Sequence, residues 1–266
     1  MKKTLLAAGV LLALISCKKT DRAAEPESET AVAKIEARSC ASDEVLQAQI
    51  AADPSFASRL ENLESFTRTF VRNKAAGRVE STLATINIPV VVHVVYNTSA
   101  QNISDAQVQS QIDVLNEDFN LQNSDNTLVP THFSTVKANV GINFTVATDG
   151  VVCLFSAFGR TGTLTANYNK GRTTTHEVGH WANLRHIWGD ATCGNDFVGD
   201  TPQHNTSNGG CPAADHRSTC TGTPLEMWMN YMDYTYDACM YMFSNGQKDS
   251  MLAVFAPGGP RASMVN

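Results

Sequence analysis

Apolar residues form two different patterns along this chain. Between Ser42 and Arg72 they recur at helical spacing, interrupted at Asp53-Pro54, which predicts a small helical unit. Residues 86–96, INIPVVVHVVY, are β-branched and nearly all apolar, as expected of a strand buried on both faces. A helical unit is therefore expected before the first strand of a main domain.

A second helix and two further short strands follow. Ser104 is predicted to cap the helix while Gln107 reaches back to it, and the apolar stripe consists of Val108, Ile112, Leu115 and Phe119. Residues 142–147 and 151–158 are strand candidates, so this part is α/β. After His186 the pattern dissolves into Gly, Pro, Asn, Asp and Cys, which predicts an irregular region held by crosslinks rather than by a large core.

The N-terminus has the pattern of an export signal. Two lysines precede an apolar run from Leu5 to Ile15, shorter than the roughly 20 residues that a membrane-spanning helix needs. Residues 14–17, LISC, resemble the bacterial lipobox, which implies cleavage before Cys17 and a lipid on its sulfur; an ordinary secretory signal is the alternative. Residues 1–17 are then a lipoprotein signal peptide, and the chain is exported and either lipid-anchored at the cell envelope or secreted.

Composition narrows the class of protein further. Residues 18–35 are rich in charged and small residues, which predicts a flexible tether. The remaining chain can hold a core, because 42% of the 266 residues are hydrophobic. A net charge of −6 without a basic cluster argues against a nucleic-acid partner.

The stretch HEVGHWANLRH carries the chemistry. A helix advances about 100° per residue, so His176 and His180 lie on one face, and Glu177 beside them is positioned to take a proton from a metal-bound water. A continuous helix would carry His186 about 15 Å beyond His176, so the chain must turn back. Asn183 supplies the positive φ that such a turn needs.

Three histidines leave one coordination position of zinc open for water, as in a catalytic site. A structural zinc site is the alternative, although such sites usually have four protein ligands and use cysteine more often. The motif therefore predicts a catalytic zinc centre with His176, His180 and His186 as ligands.

HEVGHWANLRH resembles the metzincin signature H-E-x-x-H-x-x-G-x-x-H, with Asn183 at the glycine position. The stretches CGNDFVGDTPQ, GGCP and NYMDYTYDACMYMFSNGQ are similar to the pappalysin family, in particular its cytophagalysin branch, across residues 149–254. The resemblance implies a zinc-dependent metalloendopeptidase that hydrolyses polypeptide substrates through a zinc-bound water activated by Glu177. It also implies a Met-turn at Met232 and a catalytic Tyr234 that stabilises the tetrahedral intermediate.

The same resemblance implies the architecture and the domain limits. The fold class is α/β (α+β): a metzincin-like catalytic domain, residues 86–266, with a twisted mixed sheet and helices in its upper half and an irregular, disulfide-linked lower half. Residues 36–85 form a helical propeptide. Its Cys40 is expected to occupy the open zinc position and keep a zymogen latent, although a three-residue match also fits an unpaired thiol in a tail. Removal of the propeptide is expected near residues 74–78, because the surrounding stretch NKAAGR (73–78) is polar and contains glycine.

Calcium and disulfides follow from the resemblance as well. Asp196, the carbonyl of Gly199 and Thr201 are implied as calcium ligands; a solvated Asx-turn loop is the alternative. The four cysteines of the irregular part allow three pairings, of which the family favours Cys193 with Cys220 and Cys211 with Cys239. Cys153 is expected as a buried thiol within a strand.

The chain departs from the family in its sheet. Relatives have two further strands between the segments resembling INFTVA and DGVVCLFSAF, one of which pairs with substrate; here the two segments meet, and Asp149-Gly150 suits a tight hairpin. The sheet is expected to be shortened and peptidase activity weakened or absent. A lipid-anchored zinc-binding or scaffold protein is the alternative function, and a zinc amidase acting on small substrates is a third.

Overall fold

A computed structural model describes residues 40–79, 85–146 and 153–265. The expected signal peptide, the tether, the lipidated Cys17 and the Asp149-Gly150 turn lie outside these residues. The fold is mixed α and β with a short open sheet, as the sequence predicted. None of the helices in the described part combines the length and apolarity that crossing a membrane requires.

The predicted N-terminal helical unit is present as two helices. α1 spans Ser42–Ala52 and α2 spans Pro54–Ala75. The break falls at the predicted residues because Asp53 caps α2, accepting a hydrogen bond from Ser55 N at 3.0 Å, and Pro54 fits the first helical position, where no N–H is needed. α2 packs against the last helix of the chain, α5, at Asn245–Phe255.

The described sheet has two parallel strands, β1 at Ile86–Val90 and β2 at Ile142–Val146, with Ile86 opposite Ile142. The prediction of a strand running to Tyr96 was wrong. Residues 91–96 continue without strand pairing, and Val95 is 93% exposed. Within the described residues, the pairing of β1 with β2 extends as far as Val90 opposite Val146.

α3 spans Asp105–Phe119 and packs against β2. Ile112, Leu115 and Phe119 of the predicted apolar stripe are buried in the core, whereas Val108 is only half-buried. Ser104 caps α3 by accepting a hydrogen bond from Gln107 N at 3.2 Å. The expected return bond from Gln107 was wrong, since its side-chain amide donates to the carbonyls of Phe155 and Phe158 at 3.0 and 2.9 Å. Those carbonyls belong to a segment expected as a strand, whose described part instead forms a 3-10 turn at Phe155–Ala157.

We call residues 85–181 the upper half and residues 182–265 the lower half. The lower half is irregular up to α5, and it contains the disulfides Cys193–Cys220 and Cys211–Cys239. The expectation that it lacks a large core was wrong. Many of its side chains are at most 8% exposed and join the main hydrophobic cluster, among them Met227, Trp228, Met229, Tyr231, Met232, Met240, Tyr241, Met242 and Phe243.

Candidate zinc centre

The motif helix, α4, spans Arg172–Trp181 and ends as the sequence predicted. Asn183 has φ +73°, and the turn is closed by Leu184 N donating to Gly179 O at 2.9 Å. The chain then reverses, so that the ring centroids of His180 and His186 are 4.5 Å apart. The third histidine is therefore brought back to the first two by one left-handed residue.

The three imidazoles direct the same nitrogen to one point. His180 Nε2 lies 3.1 Å from His176 Nε2 and 3.1 Å from His186 Nε2. Each Nδ1 has its own oxygen partner: Tyr231 O at 2.7 Å for His176, Leu184 O at 2.8 Å for His180, and the Asp190 carboxylate for His186. Since an Nδ1–H that donates to oxygen leaves Nε2 with a lone pair, all three Nε2 atoms are available as ligands.

This donor set fits zinc. Burial, and then the neighbouring His186, lowers the pKa of His180 to about 4, so this imidazole stays neutral and able to ligate. Three lone pairs at such short separations repel each other unless a cation lies among them. Nitrogen ligands arranged tetrahedrally at 2.0–2.1 Å from zinc are about 3.3 Å apart, close to the separations found here.

Cys40, Glu177 and Tyr234 meet at the open side of the cluster. Cys40 Sγ lies 3.4 Å from Glu177 Oε2, and its sulfur and the three ligand nitrogens all lie within 4.8 Å of one another. Tyr234 Oη is 3.2 Å from His186 Nε2 and 3.3 Å from Cys40 N. Burial, followed by the Glu177 carboxylate, raises the pKa of the Cys40 thiol to about 11 in the absence of a metal charge. Burial also raises the pKa of Tyr234, so its hydroxyl is a proton donor at neutral pH.

Met232 lies in the core directly beneath α4. It is fully buried, its carbonyl accepts from Ile187 N at 3.1 Å, and a Cβ on Gly179 would lie 2.4 Å from its sulfur. Gly179 is therefore needed for Met232 to pack against α4. The sequence did not predict this contact.

A cleft of about 920 Å³ opens in front of the cluster. Its walls come from α1 and α2 on one side and from the upper half and the return loop on the other, including Leu46, Leu60, Leu154, Tyr168 and Trp181. Cys153 lies on this wall, half-buried and outside any strand, rather than within a strand as expected. The helical unit thus occupies one side of the cleft that a substrate would need.

The expected calcium ligands are brought only partly together. Thr201 Oγ1 donates to the Asp196 carboxylate at 2.8 Å, and Val198 N donates to it at 3.1 Å. Burial raises the pKa of Asp196 to about 6. Asp200, next to Thr201, is instead engaged by Ser244 Oγ and Gly246 N at 2.6 and 2.8 Å. Within residues 40–79, 85–146 and 153–265, the zinc centre is the one cluster of three or more His, Cys, Asp or Glu ligands.

Sequence reasoning missed the ionic cluster behind α4. Arg172 Nε lies 3.1 Å from Asp118 Oδ2, and the same carboxylate accepts from Thr175 Oγ1 at 2.6 Å. Tyr231, whose carbonyl holds His176, donates its hydroxyl to Asp118 at 3.1 Å. Burial raises the pKa of Asp118, and Arg172 opposes that effect. The cluster joins α3, α4 and the Met-turn, and no spacing in the sequence predicts a contact between residues so far apart.

An H-E-x-x-H helix, a third histidine after a left-handed turn and a buried methionine below define a metzincin-type metallopeptidase. A family model described as pregnancy-associated plasma protein-A matches residues 158–256. An extracellular metalloprotease of Uncinocarpus reesii is 32% identical over 223 residues, covering 67% of this chain and 80% of the relative.

Two solved structures agree with this class. Mature mirolysin of Tannerella forsythia, in complex with a cleaved peptide, is 38% identical, with a TM-score of 0.64 over 69% of this chain and 97% of that one. A promirolysin mutant of the same organism is 33% identical, with a TM-score of 0.69 over 83% of this chain and 95% of that one. The chain belongs to the pappalysin family of zinc-dependent metalloendopeptidases.

Proposed function

We propose that this protein is the latent form of an exported zinc endopeptidase, with Glu177 as general base and Tyr234 as oxyanion donor. The observation that carries the proposal is the convergence of three Nε2 atoms on one point. His180 Nε2 lies 3.1 Å from each of the other two, and Glu177 and Tyr234 lie at the open side of the cluster. The extracellular relative from Uncinocarpus reesii supports export.

Zinc, when bound by His176, His180 and His186, supplies a Lewis acid that polarises a carbonyl and acidifies water. Glu177 then accepts the proton of the attacking water and returns it to the leaving amine. The protonated Tyr234 hydroxyl donates a hydrogen bond to the oxygen that gains negative charge in the transition state. For Glu177 and Tyr234 to act in this way, water and substrate must occupy the open side of the cluster, where Cys40 lies in this structure.

Latency depends on the helical unit in this proposal. Cys40 reaches the open side of the cluster. Three polar contacts join α2 to the lower half: Glu64 with Arg185 at 3.4 Å, Thr67 with Asn183 at 3.3 Å, and Lys74 with Asp249. α2 ends at Ala75, and Gly77 follows with φ +67°. Cleavage in residues 74–78 would release the unit. Promirolysin aligns with more of this chain than mature mirolysin does, 83% against 69%, which supports a propeptide of this kind.

Calcium and a lipid anchor complete the proposal. Calcium would be held by Asp196, Thr201 and the Gly199 carbonyl. Burial raises the pKa of Asp196 because it disfavours the charged carboxylate, and a bound cation would offset that cost. The lipid on Cys17 is proposed from the lipobox resemblance alone.

The short sheet favours a second candidate function, a zinc-binding protein with weak or no peptidase activity. With two parallel strands described, the edge that would align an extended peptide by strand pairing is reduced. Polypeptide remains the proposed partner in both cases, as substrate in the first and as ligand in the second.

The test is hydrolysis of a mixed peptide library by residues 86–266, beside the full chain, with zinc and calcium present. We expect cleavage by residues 86–266 and much slower cleavage by the full chain. Glu177→Ala, which removes the base, should lower the rate roughly 10²–10⁴-fold. A Cys40→Ala full chain should recover part of the activity. Silence from all forms, with the domain folded and zinc bound, would favour the second candidate function.

A further inference from the structure

The three ligand histidines do not have equivalent supports. His176 and His180 donate Nδ1–H to neutral backbone carbonyls, of Tyr231 and Leu184. His186 alone donates to a carboxylate, that of Asp190, four residues further on. A carboxylate partner makes an imidazole a stronger ligand than a carbonyl does, because it stabilises positive charge on the ring.

Asp190 is held in place by the backbone around it. It has φ +57°, and Gly189 before it has φ +65°. A Cβ on Gly189 would lie 2.3 Å from Asn195 N, so the loop that follows closes over this turn. The Asp190 side chain is 25% exposed, whereas His186 is 2% exposed. The carboxylate is therefore fixed at the rim of the cleft and faces the buried ring.

The His186 ring is constrained on its faces as well. It stacks on Trp188 with centroids 4.3 Å apart and an interplanar angle of 9°. The indole fixes the plane of the ring, but it does not decide which nitrogen carries the proton. A 180° flip about χ2 would place the ring carbon Cε1 where Nε2 now lies, and the other tautomer would present Nε2–H to the metal. A carboxylate at Nδ1 selects the ligating form, because it accepts the Nδ1–H and leaves Nε2 with its lone pair. Tyr234 Oη, 3.2 Å from Nε2, can favour the same tautomer when no metal is bound.

We propose that Asp190 is a positioning residue of the zinc centre, which selects the Nδ1–H tautomer of His186 and strengthens it as the third ligand. The proposal rests on the proposed zinc function of the site. His176 and His180 are positioned by α4, whereas His186 follows the return loop. Asp190 therefore supplies for His186 the positioning that the helix supplies for the other two ligands.

The experiment compares Asp190→Asn and Asp190→Gly in the full chain. Both residues tolerate positive φ, so the turn is kept; asparagine retains an acceptor without charge, and glycine removes both. Asp215→Asn is the matched control, because Asp215 is exposed and belongs neither to the ligand cluster nor to the cleft wall. Zinc affinity is measured by competition with a chelator, and long-range ¹H–¹⁵N spectra of the metal-free protein at neutral pH report each tautomer.

We expect glycine to weaken zinc binding 10–100-fold and asparagine to weaken it less, with the control unchanged. In the spectra, the His186 Nδ1–H form should give way to a mixture in Asp190→Gly, while His176 and His180 keep theirs. Unchanged affinity and unchanged tautomers in Asp190→Gly would overturn the proposal. A wild-type chain that binds no zinc would instead overturn the zinc function, and the tautomer spectra would still decide the role of Asp190.

Discussion

The upper and lower halves of the molecule obtain their cores in opposite ways. The upper half has the strands, yet its most apolar run beyond β1, residues 91–96, is only partly covered, and Val95 and Tyr96 are 93% and 55% exposed. The lower half is irregular up to α5, yet Met229, Met232 and Met242 are fully buried. Regular backbone structure and burial are therefore separate properties in this chain.

Methionine explains how an irregular backbone can be packed. Its unbranched, flexible side chain fills gaps that β-branched residues cannot follow, and tyrosine adds a hydrogen-bonding end to a large apolar surface. β-branched residues such as those of residues 91–96 depend on a neighbouring strand for their contacts. The described lower half therefore packs its core with single bridges, such as Asn230 with Met242, whereas the upper half has a pair of regular strands.

Shortening a side chain where the two halves meet should cause the largest loss in the free energy of unfolding. Phe243 is fully buried, and its ring contacts Phe119 of α3 at 4.9 Å and Tyr231 of the Met-turn at 4.8 Å between centroids. We expect Phe243→Ala to lower the free energy of unfolding by about 3–5 kcal/mol, measured by urea denaturation. A loss under 1 kcal/mol would mean that the two halves do not share a core.

Removal of a disulfide tests whether crosslinks or packing hold the lower half. The Cys193–Cys220 bridge spans a sequence separation of 27 residues, for which loop entropy predicts a loss of about 3–4 kcal/mol. We expect the Cys193→Ser, Cys220→Ser double variant to be less stable but still to give a native near-UV circular dichroism spectrum. A spectrum without fixed aromatic signals would show that the crosslinks, and not the methionine core, define this half.

A substitution in the unpacked run of the upper half should have the smallest effect. Val95 is 93% exposed, so Val95→Ser removes little buried surface, and we expect a change within about 0.5 kcal/mol in the free energy of unfolding. Ile88→Ser, in the paired and buried part of the same run, is the control and should cost several times more. Equal losses at both positions would contradict the comparison between the halves.

The site could be predicted from the sequence because its rules are local. Helical spacing places His176 and His180 together, and the need for positive φ identifies Asn183 as the turn residue. The strand extent could not be predicted in the same way, because apolar β-branched residues indicate a preference and not a partner. Gln107 likewise fits a capping box, but the carbonyls of a turn some fifty residues away bind it instead. The contact of Asp190 with His186 could not be predicted either, because it depends on the conformation of the return loop.

In the proposed latent form, the docking of α2 has a consequence for the kinetics of activation. While the chain is intact, Cys40 is tethered to the centre, and its effective concentration there is on the order of millimolar. A cut in residues 74–78 leaves only the contacts of α1 and α2, such as Glu64 with Arg185, to hold the fragment. Inhibition then becomes bimolecular. In a concentrated sample the excised fragment would rebind and keep the enzyme silent, and simple dilution after cleavage would be enough to switch it on.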